Sequence, residues 1–183
     1  MILYINACVR SDSRTDVIAR ALLNKLGRYD ELKLSGLDIR PLDEALLQKR
    51  TDLIGSGNYD DPMFDLSKQF ASADAIVISA PFWDGSFPAI LKTYLENIYV
   101  TGIVSKYSKD GTPVGLCKAA KLYYVTTAGG PYFPDFSYGY ISVLAVQMFG
   151  ITETELLYSE NLDIFGNDPD LIIKDTIHRY GLD

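Results

Sequence analysis

Apolar residues along the chain collect into short continuous runs separated by longer amphipathic segments. The runs ILYINA (residues 2–7) and AIVISA (residues 75–80) show little polar alternation, which is typical of strands buried on both faces of a parallel sheet. Further strands are predicted at residues 121–130 and 152–159, and DELKLSG (residues 30–36) has the pattern of a more exposed strand. The hydrophobic pattern therefore predicts five strands.

Helical spacing characterises the segments between these runs. In residues 13–27 apolar side chains recur every fourth position, Ser13 with Asp16 resembles a capping box, and Gly27 is a plausible helix terminator. Asp61 and Asp168, each followed by proline, predict N-caps of two further helices. Helices are predicted at residues 13–27, 41–50, 61–71, 136–149 and from residue 168 onward, with another inside residues 80–99.

Alternating strands and helices are the pattern of an α/β protein with an open, doubly wound, five-stranded parallel sheet and helices on both faces. The polar, turn-rich segment at residues 102–115 predicts a hairpin excursion from this pattern. No change of composition marks a linker, so residues 1–183 are predicted to form a single domain.

Composition and charge narrow the possible functions. The net charge of −7 makes nucleic acid and anionic membranes unfavourable partners. The apolar start is too short for a signal peptide, and no run is long enough to cross a bilayer, so we expect a cytoplasmic protein without membrane insertion. One histidine, His178, and two distant cysteines, Cys8 and Cys117, cannot supply zinc-site spacing, and we assign no metal ligands. Catalysis would then depend on a bound organic cofactor.

The loop after the first strand has the residue types of a phosphate site. Ligands of open α/β sheets bind beyond the carboxyl ends of the strands, and a helix begins directly after this loop. Hydroxyls, arginines and backbone N–H groups at a helix N-terminus can hold a phosphate dianion, although Ser or Thr at an N-cap is also common without a ligand. The loop lacks the glycine pattern of dinucleotide or triphosphate sites, which favours the terminal phosphate of FMN. Its candidate residues are Arg10, Ser11, Ser13, Arg14 and Thr15.

Two further loops follow the third and fourth strands. In PFWDG (residues 81–85) the aromatic side chains either pack between sheet and helix or border a flat heteroaromatic ring. In TTAGG (residues 126–130) threonine hydroxyls precede two glycines that permit close backbone approach to a ligand. The candidate cofactor-binding residues in these loops are Pro81, Phe82, Trp83, Asp84, Gly85, Thr126, Thr127, Ala128, Gly129 and Gly130.

The segments INACVRSDSRT, APFWDGSFPAILKTYLENI and VTTAGGPYF, in this order and spacing, resemble the FMN-dependent NADH:quinone oxidoreductase and azoreductase family. The resemblance extends from residue 1 to about residue 165 and implies a flavodoxin-like fold, one FMN per subunit and NADH or NADPH as electron donor. It also implies a homodimer with shared active sites and a small-molecule acceptor such as a quinone or azo compound, reduced by ping-pong hydride transfer. The family's phosphate loop corresponds to Ser13, Arg14 and Thr15, and its flavin-flanking loops correspond to residues 82–85 and 127–130.

The chain departs from the family at two positions. Asp84 stands where members often carry asparagine, and its charge is predicted to lower the flavin potential. Pro131, Tyr132 and Phe133 follow the glycine pair, where many members have a histidine. Tyr132 and Phe133 are the candidate substrate contacts, and no catalytic side chain is assigned because the flavin would be the reactive centre.

Other aromatic residues leave alternatives open. Phe136 and Tyr140 either pack the following helix on the sheet or contact substrate, and packing is the favoured interpretation. Lys106 and Tyr107, in the polar excursion, either reach a partner subunit's site or lie in a solvated loop. The alternative functions are a single-electron carrier of flavodoxin type, a flavin-free interaction domain, and a reductase that uses free FMN as a substrate.

Overall fold

The five predicted strands form one parallel sheet. The structure, a computed structural model, describes residues 1–183. The strands of this sheet are β1 (Ile2–Asn6), β2 (Tyr29–Lys33), β3 (Ala75–Ser79), β6 (Lys121–Thr127) and β7 (Glu153–Ser159). Their order in the sheet is β2-β1-β3-β6-β7, in which β1 pairs with both β2 and β3. The fold-class prediction is therefore confirmed.

Helices cover both faces of the sheet and create two apolar cores. On one face, α1 and α6 pack against the sheet through side chains such as Ile18 and Ile173. On the other face, α3, α4 and α5 contribute Phe70, Leu91 and Ile141 to a larger core. The helices are α1 (Arg14–Leu26), α2 (Glu44–Gly55), α3 (Asp65–Ser72), α4 (Ala89–Ile98), α5 (Tyr138–Val143) and α6 (Pro169–Arg179). None of these helices is both long and apolar enough to span a bilayer.

Helix boundaries differ from the prediction in three places. Helix α2 runs from Glu44 to Gly55, whereas the prediction placed it at residues 41–50. The helix predicted from Asp61 begins as a 3₁₀ turn at Pro62–Phe64, and α5 changes to a π-helical turn at Leu144–Phe149. The two aspartate caps are confirmed, since the carboxylates of Asp61 and Asp168 accept bonds from the first-turn amides that follow them.

The predicted excursion is an antiparallel hairpin. Its strands are β4 (Ser105–Tyr107) and β5 (Pro113–Gly115). The hairpin lies against the end of the π-helical turn that follows α5, where Gly115 faces Gly150 so closely that a Cβ atom at residue 115 would be less than 3.0 Å from backbone atoms. This contact requires glycine at Gly115.

Candidate functional site

A pocket of about 360 Å³ lies at the carboxyl edge of the sheet, where all three candidate loops meet. Pockets for cofactors and small molecules commonly have volumes of roughly 300–1,000 Å³. Ser11, Asp84, Gly85, Thr126 and Gly130 lie outside its lining. The candidate residues that the structure brings together there are Arg10, Ser13, Arg14, Thr15, Pro81, Phe82, Trp83, Thr127, Ala128 and Gly129.

The first loop ends at an N-terminus of α1 that has no side-chain cap. Ser13 occupies the N-cap position, but its side chain makes no capping hydrogen bond, so the predicted capping box is wrong. The Asp16 carboxylate instead accepts hydrogen bonds from Arg20 Nε at 2.8 Å and Asn6 Nδ2 at 3.1 Å. No backbone N–H from residue 9 to residue 16 donates to a protein acceptor. This arrangement leaves a concentration of N–H donors beside the positive end of a helix dipole.

A buried polar network supports the first loop from below. Asn6 Oδ1 accepts a hydrogen bond from the Cys8 N–H at 2.9 Å, which fixes the direction in which the chain leaves β1. The Tyr4 hydroxyl contacts the Asp16 carboxylate and lies 2.7 Å from Ser79 Oγ. Burial, together with the bond to Asp16, raises the Tyr4 pKa far above its ordinary value, so the phenol remains a hydrogen-bond donor. The sequence signal for this network is the polar side chain of Asn6 and the hydroxyl of Tyr4 within a buried strand.

The second loop contains a tight two-residue hairpin turn. Trp83 and Ser86 exchange two backbone hydrogen bonds of 2.8 Å each. Between them, Asp84 has φ +50° and Gly85 has φ +83°, the left-handed pair that a type I′ turn requires. The turn exposes Asp84 and Gly85 to solvent and directs Phe82 and Trp83 toward the pocket.

The third loop is tied to the other two. Thr15 and Thr127 hydroxyls are 2.7 Å apart, and the Phe82 N–H donates to the Thr127 carbonyl at 2.9 Å. The N–H groups of Gly129 and Gly130 donate to no protein acceptor. The neighbouring Thr126 side chain is buried and its hydroxyl has no hydrogen-bond partner, so it lies in the sheet and away from the pocket.

Comparison with known proteins identifies the family. The model of the Flavodoxin_2 family, described as "Flavodoxin-like fold", matches residues 1–181. A curated FMN-dependent NADH:quinone oxidoreductase 2 of Clostridium acetobutylicum is 35% identical over 191 residues, covering 97% of this chain and 94% of the relative. This chain belongs to that family of flavodoxin-like proteins. The resemblance found in the sequence is thereby confirmed.

Other relatives agree with the family assignment. An FMN-dependent NADH:quinone oxidoreductase of Coprothermobacter proteolyticus is 31% identical, covering 96% of this chain and 94% of the relative. Among solved structures, a FMN-dependent NADH-azoreductase from Bacillus anthracis in complex with FMN superposes with a TM-score of 0.81 and 20% identity. That superposition covers 97% of this chain and 94% of the azoreductase. At such identity the superposition supports the fold.

This family member also has a fourth loop at its pocket, which the sequence prediction missed. Leu162 and Asp163, after β7, line the pocket together with Val9 and Asp12 of the first loop. Arg14 Nη1 lies 3.1 Å from Asp163 Oδ1, and the Asp163 carboxylate occupies the space that a Cβ atom at residue 129 would need. The position of β7 next to β6 was the available signal, because neighbouring parallel strands end at the same edge of the sheet.

The predicted aromatic contacts divide into buried and exposed groups. Tyr132 is buried, with its ring edge-on to Phe82 at 5.0 Å and its hydroxyl 2.9 Å from Ser137 Oγ. Phe133 is 61% exposed. Tyr132 therefore supports Phe82 from behind, whereas Phe133 is accessible to a ligand.

Packing explains only one of the next two aromatics. Tyr140 is half-buried and packs on Phe87 with ring centroids 5.7 Å apart, as predicted. Phe136 is 72% exposed, so its predicted packing role is wrong; proline at residue 134 starts a short 3₁₀ turn that holds it away from the core. Lys106 and Tyr107 are both exposed on the hairpin.

Proposed function

We propose that residues 1–183 act as a single FMN-binding domain and that the protein is an FMN-dependent NAD(P)H oxidoreductase. It would transfer two electrons, by ping-pong hydride transfer, to an electron-poor small molecule such as a quinone or azo compound. The observation that carries this proposal is that one pocket combines two surfaces. Its anion-binding end is formed by the loop of residues 9–15, and its aromatic end is formed by Phe82 and Trp83. The names and FMN dependence of the curated relatives support the same assignment.

The residues at one end of the pocket fit the phosphate of FMN. The unpaired N–H groups of residues 9–16 and the guanidinium groups of Arg10 and Arg14 are the donors that a phosphate dianion needs. Asp12 and Asp163 balance the charges of Arg10 and Arg14 among the side chains that line the pocket, so the positive end of the α1 dipole and the unpaired N–H groups supply the local attraction for an anion. Ser13 completes the fit because its hydroxyl does not occupy the first-turn amides.

The residues at the other end fit a planar ring system. Phe82 and Trp83 offer aromatic surface, and Tyr132 holds Phe82 edge-on. The free N–H groups of Gly129 and Gly130 are available to a polar ring edge. The loops thus combine apolar walls with a few convergent donors, as small-molecule sites commonly do.

The flavin of bound FMN supplies the hydride and two-electron chemistry. The role of the protein is to bind and orient this group, keep water from one of its faces and stabilise negative charge. Phe82 and Trp83 would exclude water, and the Gly129 and Gly130 N–H groups would stabilise charge on the polar edge. We assign no general acid among the side chains, and solvent would supply the proton that the reduced acceptor takes up.

A homodimer with shared active sites is part of the proposal. Trp83, Phe133 and Phe136 are 42%, 61% and 72% exposed, and large exposed apolar patches commonly mark interaction surfaces. The Phe136 carbonyl accepts a hydrogen bond from Ser86 Oγ at 2.6 Å, which holds Phe136 beside the second loop. A second subunit on this surface would cover the aromatic end of the pocket.

A cytoplasmic location also belongs to the proposal, because the electron donor is a cellular nicotinamide cofactor.

The first experiment uses Trp83, the only tryptophan, as a reporter within the pocket. Apoprotein is titrated with FMN while tryptophan fluorescence is followed, and the complex is then treated anaerobically with NADH or NADPH. Quenching followed by one-step bleaching of the flavin spectrum is the expected result. A bound flavin that neither nucleotide reduces would indicate an electron carrier, and no uptake of FMN would indicate a flavin-free interaction domain.

The oligomeric state is tested separately by light scattering on the chromatographed holoprotein. A mass of two chains is expected, and Phe136→Ser should shift the protein toward one chain while a matched change at exposed Phe165 should not. A monomeric wild-type holoprotein that retains full NADH oxidation would contradict the shared-site part of the proposal.

A further inference from the structure

One buried hydroxyl pair joins the two ends of the pocket. Thr15 Oγ1, in the first turn of α1, lies 2.7 Å from Thr127 Oγ1 at the end of β6. The two side chains are 1% and 8% exposed, and both residues line the pocket. The pair is therefore shielded from bulk water, where a hydrogen bond contributes more than it does at the surface.

Thr127 is also where the three loops converge. Its carbonyl accepts the Phe82 N–H of the second loop at 2.9 Å, and its hydroxyl meets Thr15 of the first loop. The next residue, Ala128, donates its N–H to Ser159 at 2.9 Å and anchors the third loop to β7. A change in the Thr127 side chain can therefore reach the anion-binding end without altering the backbone that holds the aromatic end.

The arrangement of protons in this pair decides what each hydroxyl can do. Each threonine has one O–H donor and two acceptor positions, so only one of the two protons is used between them. If Thr127 donates to Thr15, the Thr15 proton is free to donate elsewhere in the pocket. Thr15 belongs to the helix turn whose N–H groups lack acceptors, so its free proton would add to the donors available for an anion.

We propose that Thr127 is a positioning residue whose O–H donates to Thr15 and thereby directs the Thr15 O–H toward the phosphate of the bound ligand. The proposal rests on the proposed function, because the phosphate is that of FMN. In this arrangement the Thr127 hydroxyl affects phosphate binding, and the third loop contacts the flavin ring only through its backbone. When two hydroxyls donate in series and the second donates to a dianion, they polarise each other, so each hydrogen bond is stronger than it would be alone.

The test compares FMN with riboflavin, which has the same ring and side chain but no phosphate. Dissociation constants of both ligands are measured by Trp83 fluorescence for wild-type apoprotein, Thr127→Val, Thr127→Ser and Thr15→Val. Valine matches threonine in shape and lacks the hydroxyl, whereas serine keeps the hydroxyl and is the rescue control. Thermal unfolding of each apoprotein checks folding, and Thr127→Ala replaces Thr127→Val should the valine variant fail to fold.

Thr127→Val should weaken FMN binding about threefold to tenfold, the effect expected for the loss of a hydrogen bond between two neutral hydroxyls, and change riboflavin binding less than about twofold. Thr127→Ser should restore FMN affinity. Thr15→Val should weaken FMN binding at least as much, and adding Thr127→Val to it should have little further effect.

If Thr127→Val weakened the binding of FMN and riboflavin equally, the hydroxyl pair would be only a structural link between the first and third loops, and the inference would be overturned. Unchanged FMN affinity in that variant would overturn it as well, while the proposed function would stand. A wild-type protein that binds neither flavin would remove the proposed function and this inference together.

Discussion

The Tyr4 hydroxyl offers a direct measure of the buried network beneath the first loop. Tyr4→Phe removes the donor to Asp16 and the 2.7 Å contact with Ser79 while leaving the ring in place. Tyr4 is completely buried, so water cannot replace the lost donor. The ring also retains its contact with the Arg20 guanidinium, 5.8 Å from the ring centroid. The change therefore isolates the hydroxyl.

The expected cost follows from the partners that remain. A hydrogen bond to a charged acceptor contributes about 1.5–3 kcal/mol, and the Asp16 carboxylate keeps its bonds from Asn6 and Arg20. We therefore expect the free energy of unfolding to fall by about 2 kcal/mol. In a protein of this size each kcal/mol lowers the Tm by roughly 2–4 °C, so the Tm should fall by about 4–8 °C.

Urea and thermal unfolding, followed by circular dichroism, provide the assay. Tyr29→Phe is the matched control, because the Tyr29 hydroxyl has only a 3.3 Å bond from Arg20 and is half-buried. The control should change stability by less than about 0.5 kcal/mol. Equal effects of the two substitutions would refute the reasoning.

The pH dependence of the same comparison has a definite sign. Burial raises the Tyr4 pKa in the folded state, so its stabilising contribution is complete below the unfolded-state pKa of about 10. The difference between wild type and Tyr4→Phe should stay constant from about pH 6 to pH 9. It should decrease as the pH rises above about 10, where the tyrosine of the unfolded chain ionises.

Three further predictions concern other parts of the chain. Gly115→Ala should lower stability by about 1–3 kcal/mol, because its Cβ would overlap backbone atoms of Phe149 and Gly150; an unchanged Tm would contradict this contact. Asp84→Asn should raise the flavin midpoint potential by only about 10–30 mV, since the carboxylate is exposed on the turn; a redox titration giving equal potentials would remove its proposed influence. The Met63 N–H and Lys49 lower the Asp61 pKa, so stability should decline as the pH falls below about 4, and urea titrations should show a shallower decline in Asp61→Asn.

Most of the fold could be predicted because the central strands of an open parallel sheet are covered by helices on both faces and therefore consist of continuous apolar runs. Continuous apolar runs such as residues 2–7 and 75–80 have few alternatives to a central parallel strand, and β1 and β3 lie at the middle of the sheet. Helix ends were predicted where a local signal determines them, as at Asp61 and Asp168. The end of α2 was predicted less well, because its exposed sequence has weak periodicity and no buried residue.

The sequence predicted which loops form the candidate site but not the contacts between their residues. Strand order places the three loops at one edge, and ten of the fifteen candidate cofactor residues line the pocket. The bond between Thr15 and Thr127 joins residues 112 positions apart, and no local pattern announces it. Asp163 was missed because its loop, residues 160–165, has none of the hydroxyls, arginines or paired glycines that mark the other loops. At Asp16, bonds from Tyr4 and Asn6 in β1 and from Arg20 one turn along α1 outweigh the capping box.

The uncapped start of α1 has a consequence for the life of the protein without its ligand. The N–H donors of this helix end have no protein acceptor and bond only to water in the apoprotein, so their amide hydrogens should be among the first to exchange even though side-chain bonds of Thr15 and Asp16 anchor the turn. A phosphate ligand that binds only the folded chain raises stability in proportion to the logarithm of its concentration over its Kd. The supply of the ligand in the cell would then set how much of this chain survives proteolysis.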